Sequence, residues 1–191
     1  MARTPEFERE EVLDAALQTF WRKGYEATTL PDLLDATGLA RQSLYNAFGD
    51  KRALFLASLR RYVDREHGRF EQALARGPVK AAIRGVFECV LEAASRDCSG
   101  CFLVNSAAEL VPRDAEVGRL VTAAMKRQED ALSEALLRGV REGELRLPAK
   151  RILKTARFLM GTLQGLRVMA RTMPQSPVPR DMVEVALRVI E

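Results

Sequence analysis

Along nearly the whole chain apolar residues recur three or four positions apart, with no alternating runs bounded by hairpin turns, and this pattern points to helices alone. Val12, Leu13, Ala16, Leu17, Phe20 and Trp21 line one face, and Gly24 supplies a stop, so the first helix is expected over about residues 6 to 23. Further punctuation falls at Gly38, Gly49, Gly77-Pro78, Gly100, Pro112, Gly143, Pro148 and Pro174. Between these marks lie about nine helices. Two short ones follow the first, and the later ones span about 50 to 75, 78 to 96, 101 to 110, 114 to 142, 149 to 173 and 178 to 191. The expected fold class is all-α.

From Thr28 the chain runs TTLPDLLDATGLARQSLYNAFGDKRALF, a short helix, a turn with glycine and a second short helix, which is helix-turn-helix spacing. Thr29 is placed to cap the first of these, with Asp32 in the capping-box position and Pro31 tolerable in the first turn. A rotation of about 100° per residue puts Leu44, Ala47 and Phe48 on one side of the second helix and Gln42 and Asn46 on the other. Arg41, Ser43 and Tyr45 flank that outward face. Amide side chains pair bidentately with adenine edges and Arg with guanine, so this helix is chemically able to read a major groove. Outward polar residues are equally what any solvated helix surface presents.

The segment over about residues 6 to 56 resembles the N-terminal domain of TetR-type transcriptional repressors. The elements that carry the resemblance stand in order: Ala16 and Phe20, Gly24-Tyr25, Ala27-Thr28-Thr29, Gly38-Leu39, Leu44-Tyr45, Phe48, Lys51 and Leu54-Phe55. It implies that Thr29 and Tyr45 touch DNA phosphates, that Arg41, Gln42, Ser43 and Asn46 lie at the groove, and that Lys51 meets the DNA backbone. The donor on each of those side chains suits its role. Two departures are Pro31 and Ala40, where the family usually places a Ser or Thr cap worth roughly 1 kcal/mol. The domains expected are a helix-turn-helix domain over residues 1–50 and a helical effector-binding and dimerisation domain over 51–191.

Charge gives a more modest signal. The formal net charge is +4, and residues 1 to 65 hold ten basic and ten acidic residues. The acids cluster in the first helix, while Arg41, Lys51 and Arg52 surround the reading helix, so a few phosphate contacts per subunit and a modest salt dependence are expected.

One short helix discriminates few base pairs, and helix-turn-helix proteins bind as two-fold dimers on half-sites about 34 Å apart or more. The last two helices are the expected homodimer surface, as the resemblance implies, through Gly161, Gly165, Leu166, Met182, Val185 and Val189. Packing of the two glycines within one protomer is the alternative. The middle helices, 78 to 142, are those the family uses to enclose a small molecule, with Phe87, Phe102 and Met125 as apolar lining or plain core. Asn105 and Glu109, one turn apart on an apolar helix, call for partners, either a neighbouring helix or an effector. Effector binding then alters the separation of the reading heads, provided that it favours one dimer geometry.

Cys98 and Cys101, in Asp97-Cys98-Ser99-Gly100-Cys101, offer three readings: a structural turn, an electrophile or oxidant sensor, or a metal site. Two nearby sulfur ligands fall short of the four that structural zinc takes, so no metal is expected. A thiol-responsive regulator using Cys98 and Cys101 is the alternative function. Gly-Cys before an apolar Leu-Val-Asn run resembles a recurrent feature of one branch of these regulators, in which Cys101 is a packed small residue. No phosphate loop or HExxH is visible, and a single histidine, His67, leaves most catalytic sets without their base, so neither enzyme activity nor a cofactor is expected. The longest uncharged apolar run, Phe158 to Leu166, is too short to cross a bilayer, and a cytoplasmic protein is expected. Together these readings predict a dimeric, ligand-responsive regulator, a repressor that binds a palindromic double-stranded DNA operator and is released by a small-molecule effector.

Overall fold

A computed structural model describes residues 6–96 and 100–190, with the side chains of 6–8 and 96 left aside. Among the described residues the elements are all helical: α1 (Glu6–Lys23), α2 (Leu30–Thr37), α3 (Arg41–Phe48), α4 (Lys51–Leu74), α5 (Val79–Arg96), α6 (Phe102–Leu110), α7 (Ala115–Arg141), α8 (Ala149–Thr172) and α9 (Val178–Arg188). The all-α expectation holds, and α1 begins and ends where the periodicity puts it. Two compact units form. The first takes residues up to Arg65 together with Phe102–Val121, and the second takes Glu66–Cys101 together with residues from Thr122 onward. The chain therefore passes between units inside α4, at the start of α6 and inside α7.

In the first unit, Ala16, Leu17 and Phe20 of α1, Leu33 of α2, Leu44 of α3 and Leu54, Phe55 and Leu59 of α4 are all buried. Aromatic rings tie α6 into it. Phe102 is buried with its ring 5.7 Å from Phe55 and 5.6 Å from Tyr62, both edge-on, the arrangement that ring quadrupoles favour. Phe55 also meets Phe20 at 5.2 Å and Tyr25 at 4.9 Å. Charged residues close the outside. Arg61 of α4 forks onto Asp14 of α1 at 2.9 and 2.8 Å, which holds the Asp14 carboxyl below its usual range.

The second unit is organised around α5, α8 and α9. Phe70, Ile83, Phe87, Leu132, Leu136, Leu159, Leu163, Leu166, Leu187 and Ile190 make one apolar cluster. Helix ends inside it are satisfied by charged side chains. Arg138 donates to the Leu74 and Ala75 carbonyls at 2.7 and 3.2 Å beyond the end of α4, and Glu144 accepts from the Val79 amide at 2.6 Å at the start of α5. Gly139 is small for a packing reason, since a Cβ there would stand 2.8 Å from Leu145.

Candidate nucleic-acid interface

The α2-turn-α3 element is built by local rules. The Thr29 hydroxyl accepts from the Asp32 amide at 3.3 Å while the Asp32 carboxylate accepts from the Thr29 amide at 2.8 Å, the reciprocal pair expected of a capping box. Lys23 bonds the other Asp32 oxygen at 2.5 Å. Lys23 first, and then the Thr29 amide and hydroxyl, hold the Asp32 carboxyl at about 2. Gly38 takes a left-handed φ of 67° and its amide closes α2 on the Leu34 carbonyl. Ala40 then opens α3 with no side-chain cap, as its methyl group requires.

On α3, Leu44 is buried and anchors the helix, while Arg41, Gln42, Ser43 and Asn46 are exposed. The Gln42 amide donates to the Asn46 carbonyl oxygen at 2.9 Å, so two groups capable of pairing with base edges stand on one outward face, one turn apart. Arg41 lies over the Tyr45 ring at 5.6 Å. Thr29 is exposed at the start of α2. Lys51, first residue of α4, sits with its ammonium 4.5 Å from the Tyr25 ring centroid and 3.4 Å from the Glu26 carbonyl.

Two features escape local patterning. Arg9 of α1 donates to the Ala47 carbonyl at 3.2 Å and lies 4.7 Å over the Phe48 ring, which braces the end of α3 against α1. Arg52, expected beside the reading helix, instead forks onto Asp114 at 2.8 and 3.0 Å and reaches Glu116 at 3.0 Å. Its charge is committed to the start of α7, where Asp114 also accepts the Glu116 and Val117 amides. The Arg52 guanidinium first, with those two amides, holds the Asp114 carboxyl at about 2.

The residues put forward for an effector fall into different units. Phe102, Asn105 and Glu109 belong to the first and Phe87, Cys101 and Met125 to the second, while Cys98 lies outside the described residues. Phe102 is part of the aromatic core, and Phe87 part of the second apolar cluster. Glu109 is a bridge to neighbouring backbone, its two oxygens accepting the Tyr25 and Glu26 amides at 3.0 and 2.8 Å. Cys101 precedes α6 rather than opening it and is buried, its sulfur accepting from Arg167 at 3.4 Å. Arg167 also donates to Gln164, which donates to the buried Gln128.

Among the dimerisation candidates, Leu166 requires correction: it is fully buried in the second unit's own core and has no face for a partner. Val185 is 55 % exposed, Met182 and Val189 are half-buried, and nothing stands within 4 Å of a Cβ built on Gly161. Gly165 faces Met182, with 3.6 Å left for a Cβ. Phe158 and Val178, 45 % and 36 % exposed, join Val185 and Met182 in an open apolar groove between α8 and α9. Among the described residues no cluster of His, Cys, Asp or Glu is arranged to hold a metal ion. No helix among them is long and apolar enough to cross a membrane.

A buried anchor, a capped first helix and an outward amide pair define a helix-turn-helix, and comparison with known proteins agrees. The family model described as "Bacterial regulatory proteins, tetR family" matches residues 12–58, and that for a "Tetracyclin repressor-like, C-terminal domain" matches residues 79–185. The chain is 37 % identical to an HTH-type transcriptional regulator, YezE, of Bacillus subtilis over the full length of both. It is 34 % identical to the HTH-type transcriptional repressor ComR of Escherichia coli, over 86 % of this chain and 80 % of that one. Among solved structures, a cysteine mutant of the TetR family regulator CifR complexed with a 26-bp double-strand operator superposes with a TM-score of 0.81, at 28 % identity, covering 100 % of both chains. A TetR regulator from Chloroflexus aurantiacus shares the fold with a TM-score of 0.84 at 24 % identity, over 97 % of this chain and 94 % of that one. The protein belongs to the TetR family of helix-turn-helix transcriptional regulators.

Proposed function

We propose that this regulator is a dimeric repressor that binds a palindromic operator through α3 and is released by a small-molecule effector. The observation that carries the DNA-reading part is the exposed Gln42 and Asn46 pair on a helix pinned by buried Leu44, flanked by exposed Arg41 and Ser43. Those side chains offer the donors and acceptors that base edges match, while Thr29, Tyr45 and Lys51 offer donors for phosphate. The operator-bound CifR relative and the repressor ComR support the reading. Dimerisation is supported by the apolar groove that α8 and α9 leave open within one protomer, since exposed Phe158, Val178 and Val185 gain by burial against a second copy. Burial of Cys101 counts against the thiol-responsive alternative, because a reactive thiol has to be reached.

The test begins by selecting the genomic fragments that purified protein retains. Gln42→Ala and Asn46→Ala then relax base preference at single positions by about 1–3 kcal/mol each, whereas Lys51→Ala weakens binding to all sequences alike. Titration of candidate small molecules against the complex releases DNA for a genuine effector. Operator affinity untouched by all three substitutions overturns the assignment of α3.

A further inference from the structure

Resting on the reading that Lys51 meets the DNA backbone, we propose that Glu109 of α6 is a positioning residue for operator binding, a carboxylate clamp that holds the α1–α2 connection and through it the Lys51 ammonium. Residues 24–29 connect α1 to α2 outside any helix; the Gly24 amide still closes α1 on the Phe20 carbonyl and the Thr29 amide is taken by Asp32, whereas those of Tyr25 and Glu26 need partners from elsewhere. Two consecutive amides, Tyr25 and Glu26, find them in the two oxygens of one carboxylate, Oε2 at 3.0 Å and Oε1 at 2.8 Å. Both are charge-assisted bonds, stronger than bonds to a neutral acceptor.

The approach is close enough to restrict the preceding residue. A Cβ on Gly24 would stand 3.1 and 3.3 Å from the Glu109 oxygens, and Gly24 has a φ of +83°, so a glycine serves both the turn and the clamp. Glu109 is also the next-to-last residue of α6, where the helix dipole disfavours an anion. Its placement thus works against α6 by itself and is compensated by the amides it accepts.

The same two clamped residues hold Lys51. The Tyr25 ring lies under the Lys51 ammonium at 4.5 Å, and the Glu26 carbonyl lies 3.4 Å from it. Glu109 grips the backbone of the pair on its amide side, and the pair presents a ring face and a carbonyl to the cation. Releasing the clamp frees Tyr25 and Glu26 to move, and the ammonium loses its fixed place beside α3. Glu109 acts on DNA only through these residues.

The experiment measures operator affinity of the full-length protein against salt for wild type, Glu109→Gln, Lys51→Ala and the double variant. Glu109→Gln keeps the side-chain volume but turns an NH2 group toward an amide donor. It is expected to weaken binding about tenfold and to lower the slope of log K against log salt by about one per lost phosphate contact, as Lys51→Ala does. In the double variant the loss equals that of Lys51→Ala alone, which a general destabilisation would not produce. An effective Lys51→Ala beside a silent Glu109→Gln, or additive losses, overturns the clamp while leaving the Lys51 reading intact. A silent Lys51→Ala overturns that reading, and the inference with it. Amide exchange in the wild-type protein tests the clamp without any variant: Tyr25 and Glu26 are expected to be protected, and rapid exchange at both refutes it.

Discussion

Phe102→Ala tests whether α6 is structurally part of the DNA-reading unit. The Phe102 ring is 2 % exposed and packs edge-on against Phe55 and Tyr62, with Trp21 at 6.3 Å. Truncating a buried Phe costs roughly 3–5 kcal/mol in lost transfer energy and residual cavity. Each aromatic pair adds about 0.5–1.5 kcal/mol beyond its buried area, so with two edge-on partners the upper part of that range is expected. The assay is urea unfolding followed by fluorescence of Trp21, the one tryptophan of the chain, whose ring lies in the affected cluster. Operator affinity should fall with it. A loss under about 1 kcal/mol in the Trp21 transition would refute the idea that Phe102 closes this core.

Two further outcomes follow from other parts of the molecule. Asp114 has a folded-state pKa of about 2 against an ordinary 3.8, so its contribution to stability is present above about pH 4 and is lost as pH falls through about 2. Asp114→Asn is therefore expected to be less stable than wild type at neutral pH, the two unfolding curves converging near pH 2; an unchanged difference across that window would count against the Arg52 contact as its cause. At the other end of the chain, Val185→Glu places a charge in the exposed α8–α9 groove and is expected to shift sedimentation from dimer toward monomer without loss of helical circular dichroism. An unaltered dimer would move the interface elsewhere.

Much of the α2-turn-α3 element was legible because its determinants are local. Thr29 with Asp32, Gly38 and the spacing of Leu44 between Gln42 and Asn46 each act within a turn or two of helix, and each appears where spacing puts it. Arg9 was not legible, since bracing Ala47 and Phe48 requires a contact across 38 positions. Arg52 counted among the basic residues around α3, yet partners 62 and 64 positions away take its charge. For Glu109 there was a signal, a charge on an otherwise apolar helix, but it demanded a partner without saying which.

By itself the sequence determined the helices, the Thr29–Asp32 capping box and the outward face of α3, all set by interactions between residues three or four apart. Tertiary structure decided what covers each remaining face. It gave Phe102 and Glu109 to the unit that carries α3, buried Leu166 inside its own protomer, and left Phe158, Val178 and Val185 exposed. Periodicity shows that a helix has an apolar side, whereas the choice of its neighbour rests on ring packing and charge pairing between residues far apart in the chain.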